Sequence, residues 1–279
     1  MHYRRIALSL AMLVAAAPAT AAGVSTSWEG FDEGQVRLIS AQSAAGSSGE
    51  LRLGIEFKLN EGWKTYWRYA GEAGAAPRLD WSGSDNVAAV NVSWPAPIRF
   101  STFGFDSFGY KDRVILPVSL RPKAPGEAVS VDLKIDYLAC ADICVPGQAH
   151  LRLPLNEGEA VASEFAEAIK QYDSRVPTRG ATAPFAVEGL AVAGDAGQQT
   201  LTLRLSAQEA MAEPDIVVEV AQPLSLGRPA VSLSDDRRTA EVSLKVFDGN
   251  SGKSLAGQPV RLTVIEGRLA SEHTARIPQ

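Results

Sequence analysis

Apolar and polar residues alternate along most of this chain with a period of two. In the first half the pattern runs through "QVRLIS" (35–40), "ELRLGIEFKLN" (50–60), "VAAVNVSW" (87–94), "RVILPVSL" (113–120), "VSVDLKIDYL" (129–138) and "AHLRLPL" (149–155). In the second it returns in "QTLTLRLSA" (199–207), "DIVVEVA" (215–221), "TAEVSLKVF" (239–247) and "PVRLTVIEG" (259–267), between turn-forming stretches such as "DDRR" and "DGNSGK". Such alternation predicts half-buried antiparallel strands, and short strands separated by regular turns predict β-sandwiches. The period changes once. Val161, Phe165, Ile169 and Tyr172 recur at helical spacing before Pro177 and Gly180 break the run, which predicts one short helix and a linker.

Composition divides the chain. All five tryptophans and both cysteines precede residue 150, whereas residues 183–279 contain no Trp, Tyr or Cys. We therefore expect a first β-domain over 23–157, the helix and linker over 158–182, and a second, smaller β-sandwich over 183–279. The N-terminus differs from both. Arg4 and Arg5 precede an apolar run from Ile6 to about Ala17 and the small residues Ala19, Thr20, Ala21 and Ala22, the pattern of a cleaved signal peptide over 1–22. The run falls short of the roughly 20 residues that span a bilayer, so the expected mature chain is exported to the periplasm without membrane insertion. Without Arg4 and Arg5, 25 basic residues face 32 acidic ones, a balance that argues against nucleic acid as a partner. No nucleotide loop, zinc motif or carboxylate site stands out, and no cofactor is expected.

The chemistry concentrates in "DYLACADICVP", which holds Cys140 and Cys144, the only cysteines. On one regular strand, four steps of about 3.3 Å would separate their Cα atoms by roughly 13 Å, and a disulfide needs about 4.4 to 6.8 Å. A bond between them therefore requires a turn or bulge at Ala141–Ile143; an isolated helical turn would also bring them close, but Pro146 and the β pattern on both sides disfavour a helix. In the chain-entropy model so short a loop contributes only about 2 kcal/mol, which makes a poor staple; labile disulfides serve exchange. Two other readings stay open: an inert local staple, and a copper(I) site in which His150 joins Cys140 and Cys144, since soft thiolates select that ion. The acidic neighbours Asp136 and Asp142 disfavour a strongly activated thiolate. The pair therefore reads as a receiver and donor of disulfides handled by a more reactive partner.

Aromatic residues cluster in two further stretches, Gly62 to Trp81 and Ser93 to Val118. Trp63, Tyr66 and Trp67 read mainly as core. Phe100, Phe103, Phe105 and Phe108 sit among Ser, Thr, Gly and Asp without a strand pattern, which predicts a surface loop able to cover a labile disulfide.

Four motifs in order, "GWKTYWRYAGEAGAAP", "WPAPIRF", "GYKDRVILPV" and "YLACADICVP", resemble the N-terminal periplasmic domain of the thiol:disulfide interchange protein DsbD and its ScsB-type (suppressor of copper sensitivity) relatives. The resemblance covers roughly Trp28 to Leu155, and residues 183–279 look more weakly like the second extracytoplasmic β-domain of ScsB-type proteins. It implies an immunoglobulin-like sandwich that relays electrons from a membrane-embedded carrier of the DsbD type to oxidised thioredoxin-like periplasmic proteins. By position, Cys140 and Cys144 match the redox pair, with Cys144 the cysteine that partners reach. Phe103 matches the aromatic of the family's cap loop, with Phe105 and Phe108 as alternatives, and Tyr110, grouped with the same cap loop, falls on the tyrosine before the "DRVILPV" strand. DsbD proper has a wider cysteine spacing, and Ala70 stands where relatives often carry Pro. The electron donor is expected on another polypeptide, or on a further part of a longer one.

Overall fold

The computed structural model describes residues 23–102, 104–195, 198–220, 225–247 and 254–279. The expected signal segment 1–22 and Phe103 lie outside them. The first eleven strands are β1 (Glu29–Phe31), β2 (Gly34–Ser40), β3 (Leu51–Leu59), β4 (Lys64–Gly71), β5 (Arg78–Asp80), β6 (Val87–Val92), β7 (Ile98–Thr102), β8 (Phe105–Lys111), β9 (Arg113–Pro122), β10 (Val129–Cys140) and β11 (Cys144–Leu155). They form two antiparallel sheets, ordered β1-β2-β3-β9-β6 and β11-β10-β4-β8-β7, with β5 added beside β10. Alternate residues of both sheets meet in one core: Leu38, Leu53, Ile55 and Leu116 from the first, and Trp67, Leu133, Ile135 and Leu151 from the second. This is the sandwich that period-two alternation predicts.

A helix, α1 (Ala166–Asp173), closes the outer face of the first sheet. Ile169 packs there on Ile39 and Ile115, flanked by Phe165 and Tyr172. The helix is a turn shorter than the spacing of apolar residues suggests. Val161 lies ahead of it, exposed, because the chain there bonds to Ser43 and Ala162 bridges Gln42, committing those backbone groups to a strand-like contact.

The remaining strands are β12 (Phe185–Ala193), β13 (Thr200–Ala207), β14 (Asp215–Val220), β15 (Ser225–Leu226), β16 (Ala230–Leu233), β17 (Thr239–Phe247), β18 (Pro259–Glu266) and β19 (Leu269–Arg276). One sheet is ordered β12-β13-β17-β15 with β16 also on β17, the other β14-β18-β19. Leu201, Leu203, Val242, Leu262 and Val264 build a second core between them. Strand β14 serves both cores: Ile216 and Val218 enter the second, and Val217, pointing the other way, enters the first.

Four phenols are buried in or beside the first core. Tyr137 stacks on Phe31 with ring centroids 5.9 Å apart, and its hydroxyl donates to the Gly34 carbonyl at 2.5 Å. Burial pushes its pKa up to about 12 and that of Tyr110 well above the usual phenol value; Tyr66 and Tyr69 are also raised, chiefly by burial. A raised folded-state pKa means that the fold favours the neutral phenol. The stabilisation is complete below the unfolded value of about 10 and is lost as pH rises through the folded values. We expect cooperative alkaline unfolding between about pH 10 and 12, followed by circular dichroism, with Tyr137→Phe shifting the transition upward.

Candidate functional site

The site lies at the end of the longest hairpin. Strands β10 and β11 pair in unbroken register from Val129↔Leu155 to Cys140↔Cys144, so the two cysteines form the last rung. Ala141–Ile143 make the tight turn that the spacing demanded, with the Ala141 N–H donating to the Ile143 carbonyl at 2.9 Å. The cysteines are joined by a disulfide, with Cα atoms 4.1 Å apart.

The two sulfurs occupy different surroundings. Cys140, 2% exposed, packs against Tyr66 and Ala70, while Cys144 sits at the rim of that cluster, partly exposed, as do Phe100 and Leu138. The turn projects Ile143, 64% exposed, into solvent next to Cys144. Strand β4 places Tyr66: Lys64 and Thr65 pair with Cys140 and Ala139, and the Thr65 hydroxyl donates to the Leu138 carbonyl at 2.9 Å. From there the buried Tyr66 hydroxyl donates to Cys140 Sγ at 3.1 Å and lies 3.7 Å from Cys144 Sγ. Burial raises the Tyr66 phenol above its ordinary range, so it remains a donor at neutral pH.

Two glycines make room for this arrangement. A Cβ on Gly74, at φ +116°, would stand 2.2 Å from the Tyr66 ring, and one on Gly109 would stand 1.9 Å from the Thr65 carbonyl oxygen. The first keeps space for the Tyr66 ring, and the second lets β8 approach β4 closely.

The aromatic segment differs from the expected loop. Residues 98–102 pair with 105–109 from Ile98↔Gly109 to Thr102↔Phe105, making a β-hairpin. Phe108 and Tyr110 are therefore not cap residues. Only 6% and 7% exposed, they enter the first core, where Phe108 stacks on Tyr69 at 5.9 Å and the Tyr110 hydroxyl donates to the Pro95 carbonyl at 2.8 Å. Phe105 lies at the hairpin tip, 53% exposed. Of the aromatic residues described in this segment, Phe100 is the one that packs against the cluster of Tyr66, Ala70 and Cys140. Its ring leans on Tyr66 with centroids 5.8 Å apart, and the Lys64 ammonium lies 5.7 Å above it. Phe100 and Tyr66 are the site residues that sequence reasoning left among core and loop aromatics; both stand inside the motifs that carried the resemblance.

His150 does not join the cysteines. It pairs with Lys134, six rungs from the Cys140↔Cys144 rung, or roughly 20 Å along the hairpin, and its Nε2 lies 2.7 Å from an Asp132 carboxylate oxygen. A metal shared with the thiolates would need bonds of about 2 Å, so the three-ligand copper site is geometrically excluded.

Comparison with known proteins agrees with this construction. Residues 35–156 match the family described as the N-terminal part of the thiol:disulfide interchange protein DsbD, and residues 175–279 match a domain of unknown function. The crystal structure of the N-terminal periplasmic domain of ScsB from Proteus mirabilis superposes with a TM-score of 0.75 at 24% identity, covering 92% of this chain and 99% of that one. Among curated proteins no match is found. The segment that carries the disulfide and its aromatic neighbours thus matches the DsbD N-terminal family and has an immunoglobulin-like fold, and it is followed by a β module that matches a domain of unknown function.

Proposed function

We propose that the chain is a periplasmic thiol-disulfide interchange protein. In this reading Cys140 and Cys144 accept electrons from a membrane-embedded carrier of the DsbD type and pass them to oxidised thioredoxin-like periplasmic proteins. The observation that carries the reading is the asymmetry of the bond: one sulfur is reachable at a hairpin end, and the other is buried against a hydroxyl donor. Among the described residues no helix is long and apolar enough to cross a membrane.

The chemistry is two successive exchanges. A donor thiolate attacks Cys144 Sγ, the Cys140–Cys144 bond breaks, and Cys140 leaves as a thiolate facing the Tyr66 hydroxyl. The donor's second thiolate then attacks its own sulfur in the mixed disulfide, which oxidises the donor and releases Cys144. In the forward transfer the Cys144 thiolate attacks a substrate disulfide, and Cys140 resolves the mixed disulfide, closing the original bond and leaving the substrate reduced. Two electrons move at each stage, and no cofactor is required.

The first test is the equilibrium reduction potential of the Cys140–Cys144 pair, measured in redox buffer with trapping of free thiols. A value between about −160 and −270 mV is expected, the range of proteins that exchange disulfides. A value below about −300 mV marks a permanent structural bond and overturns the reading.

A further inference from the structure

Tyr66, which bonds Cys140, and Phe100, which leans on Tyr66, belong to strands held by the second β module. Arg99 is the chain neighbour of Phe100 on β7, and its guanidinium is largely buried. It donates to both carboxylate oxygens of Asp215 on β14, at 2.7 to 3.2 Å, and to the Ile216 carbonyl at 2.9 Å. The same group donates to Asp106 on β8 at 2.7 Å and covers the Phe108 ring at 4.7 Å. From the second module Arg228 adds a bond to Asp106 at 3.0 Å. The strand that carries Tyr66 is gripped in the same way: Arg68, two residues on, donates to Glu219 at 2.6 Å and to Glu272 at 2.5 Å. Between these two anchors Val217 is fully buried in the first core.

We propose that the second β module is a positioning clamp for the aromatic cover of the disulfide. Asp215 acts through Arg99 on Phe100, and Glu219 and Glu272 act through Arg68 on Tyr66. The bonds have the form that such a role requires. They are charge-assisted, multidentate and largely removed from water, so each fixes an orientation as well as supplying attraction. A module needed only to add bulk could attach anywhere on the sandwich. This one attaches through Arg99, next to Phe100, and through Arg68, two residues from Tyr66.

The inference draws its purpose from the exchange reading, but its test does not depend on any physiological partner. The full chain, Asp215→Ala, Phe100→Ala and the double variant are reduced with dithiothreitol in excess, and opening of Cys140–Cys144 is followed by trapping thiols. Released from the clamp, the Phe100 ring packs less firmly on the cluster of Tyr66, Ala70 and Cys140 that holds the disulfide, so Asp215→Ala should be reduced about tenfold faster than the parent, and Phe100→Ala at least as fast. If Asp215 acts through Phe100, the double variant is no faster than Phe100→Ala alone, the non-additivity expected of coupled residues. A rate in Asp215→Ala equal to the parent's, or a gain that adds in full to that of Phe100→Ala, overturns the clamp. Asp215→Asn, which keeps the shape and an acceptor, gives the same comparison if the alanine variant does not fold. Absence of exchange with thioredoxin-like domains would count against the relay while leaving this comparison intact.

Discussion

Cys140→Ser and Cys144→Ser are expected to give opposite phenotypes although both lose the same bond. Cys140→Ser leaves the reachable sulfur at the rim of the site, so it still attacks a partner disulfide but has no resolving thiol, and a stable mixed disulfide accumulates. Cys144→Ser leaves only the buried sulfur, 2% exposed under Tyr66 and Ala70, and exchange is abolished with no trapped adduct. Both variants lose the stability of the closed loop, about 2 kcal/mol in the chain-entropy model, so their melting temperatures should fall together while their adducts differ. Non-reducing electrophoresis after mixing with an oxidised thioredoxin-like domain reads the outcome. Equal trapping by the two variants would show that the burial asymmetry does not direct attack.

The second large effect is expected from Tyr66→Phe. When an incoming thiolate attacks Cys144, negative charge develops on Cys140 Sγ, and the Tyr66 hydroxyl at 3.1 Å is the donor that meets it. Hydrogen bonds to charged groups contribute about 1.5 to 3 kcal/mol. Leaving-group thiols of higher pKa depart more slowly, so removing the hydroxyl should slow reduction by about ten- to a hundredfold and raise the pKa of the reduced Cys140. The ring still fills its place between Cys140 and Phe100, so the change in stability should stay near 1 kcal/mol. Rates measured against a series of small thiols, together with thermal melts, separate the two effects. A Tyr66→Phe protein reduced at the parent rate would assign the hydroxyl to packing alone.

What could be read from the sequence depended on how many faces of an element are buried. Strand β10 alternates buried and exposed residues along its length, so its strand was legible, and the cysteine spacing then required a turn or bulge at Ala141–Ile143 if the two were bonded. Strands β4 and β8 carry no such signal. Thr65, Tyr66 and Trp67 are buried in succession on β4, and Ser107, Phe108, Gly109 and Tyr110 on β8, since one face meets the first core and the other meets the disulfide cover or the second module. With both faces covered the alternation disappears, and the hairpin of β7 and β8 read as a loop. Phe100 falls in the expected cover loop, but its setting of Arg99 and Ser101 gives no sign of a strand, or that Arg99 pairs with Asp215. The run Ile216, Val217, Val218 in β14 held the complementary hint: three successive apolar residues in a strand signal two buried faces, and here they lie in two cores.

The last-rung position of the cysteines also bears on how the bond is made. A chain with only two cysteines, four residues apart, has a single intramolecular pairing open to it. Among these 279 residues no other cysteine competes for either partner. Contacts within so short a segment form on a timescale of about 100 nanoseconds or less, long before distant strands find one another. Oxidation can therefore precede assembly of the sandwich, and a protein opened in service can close the bond again without unfolding.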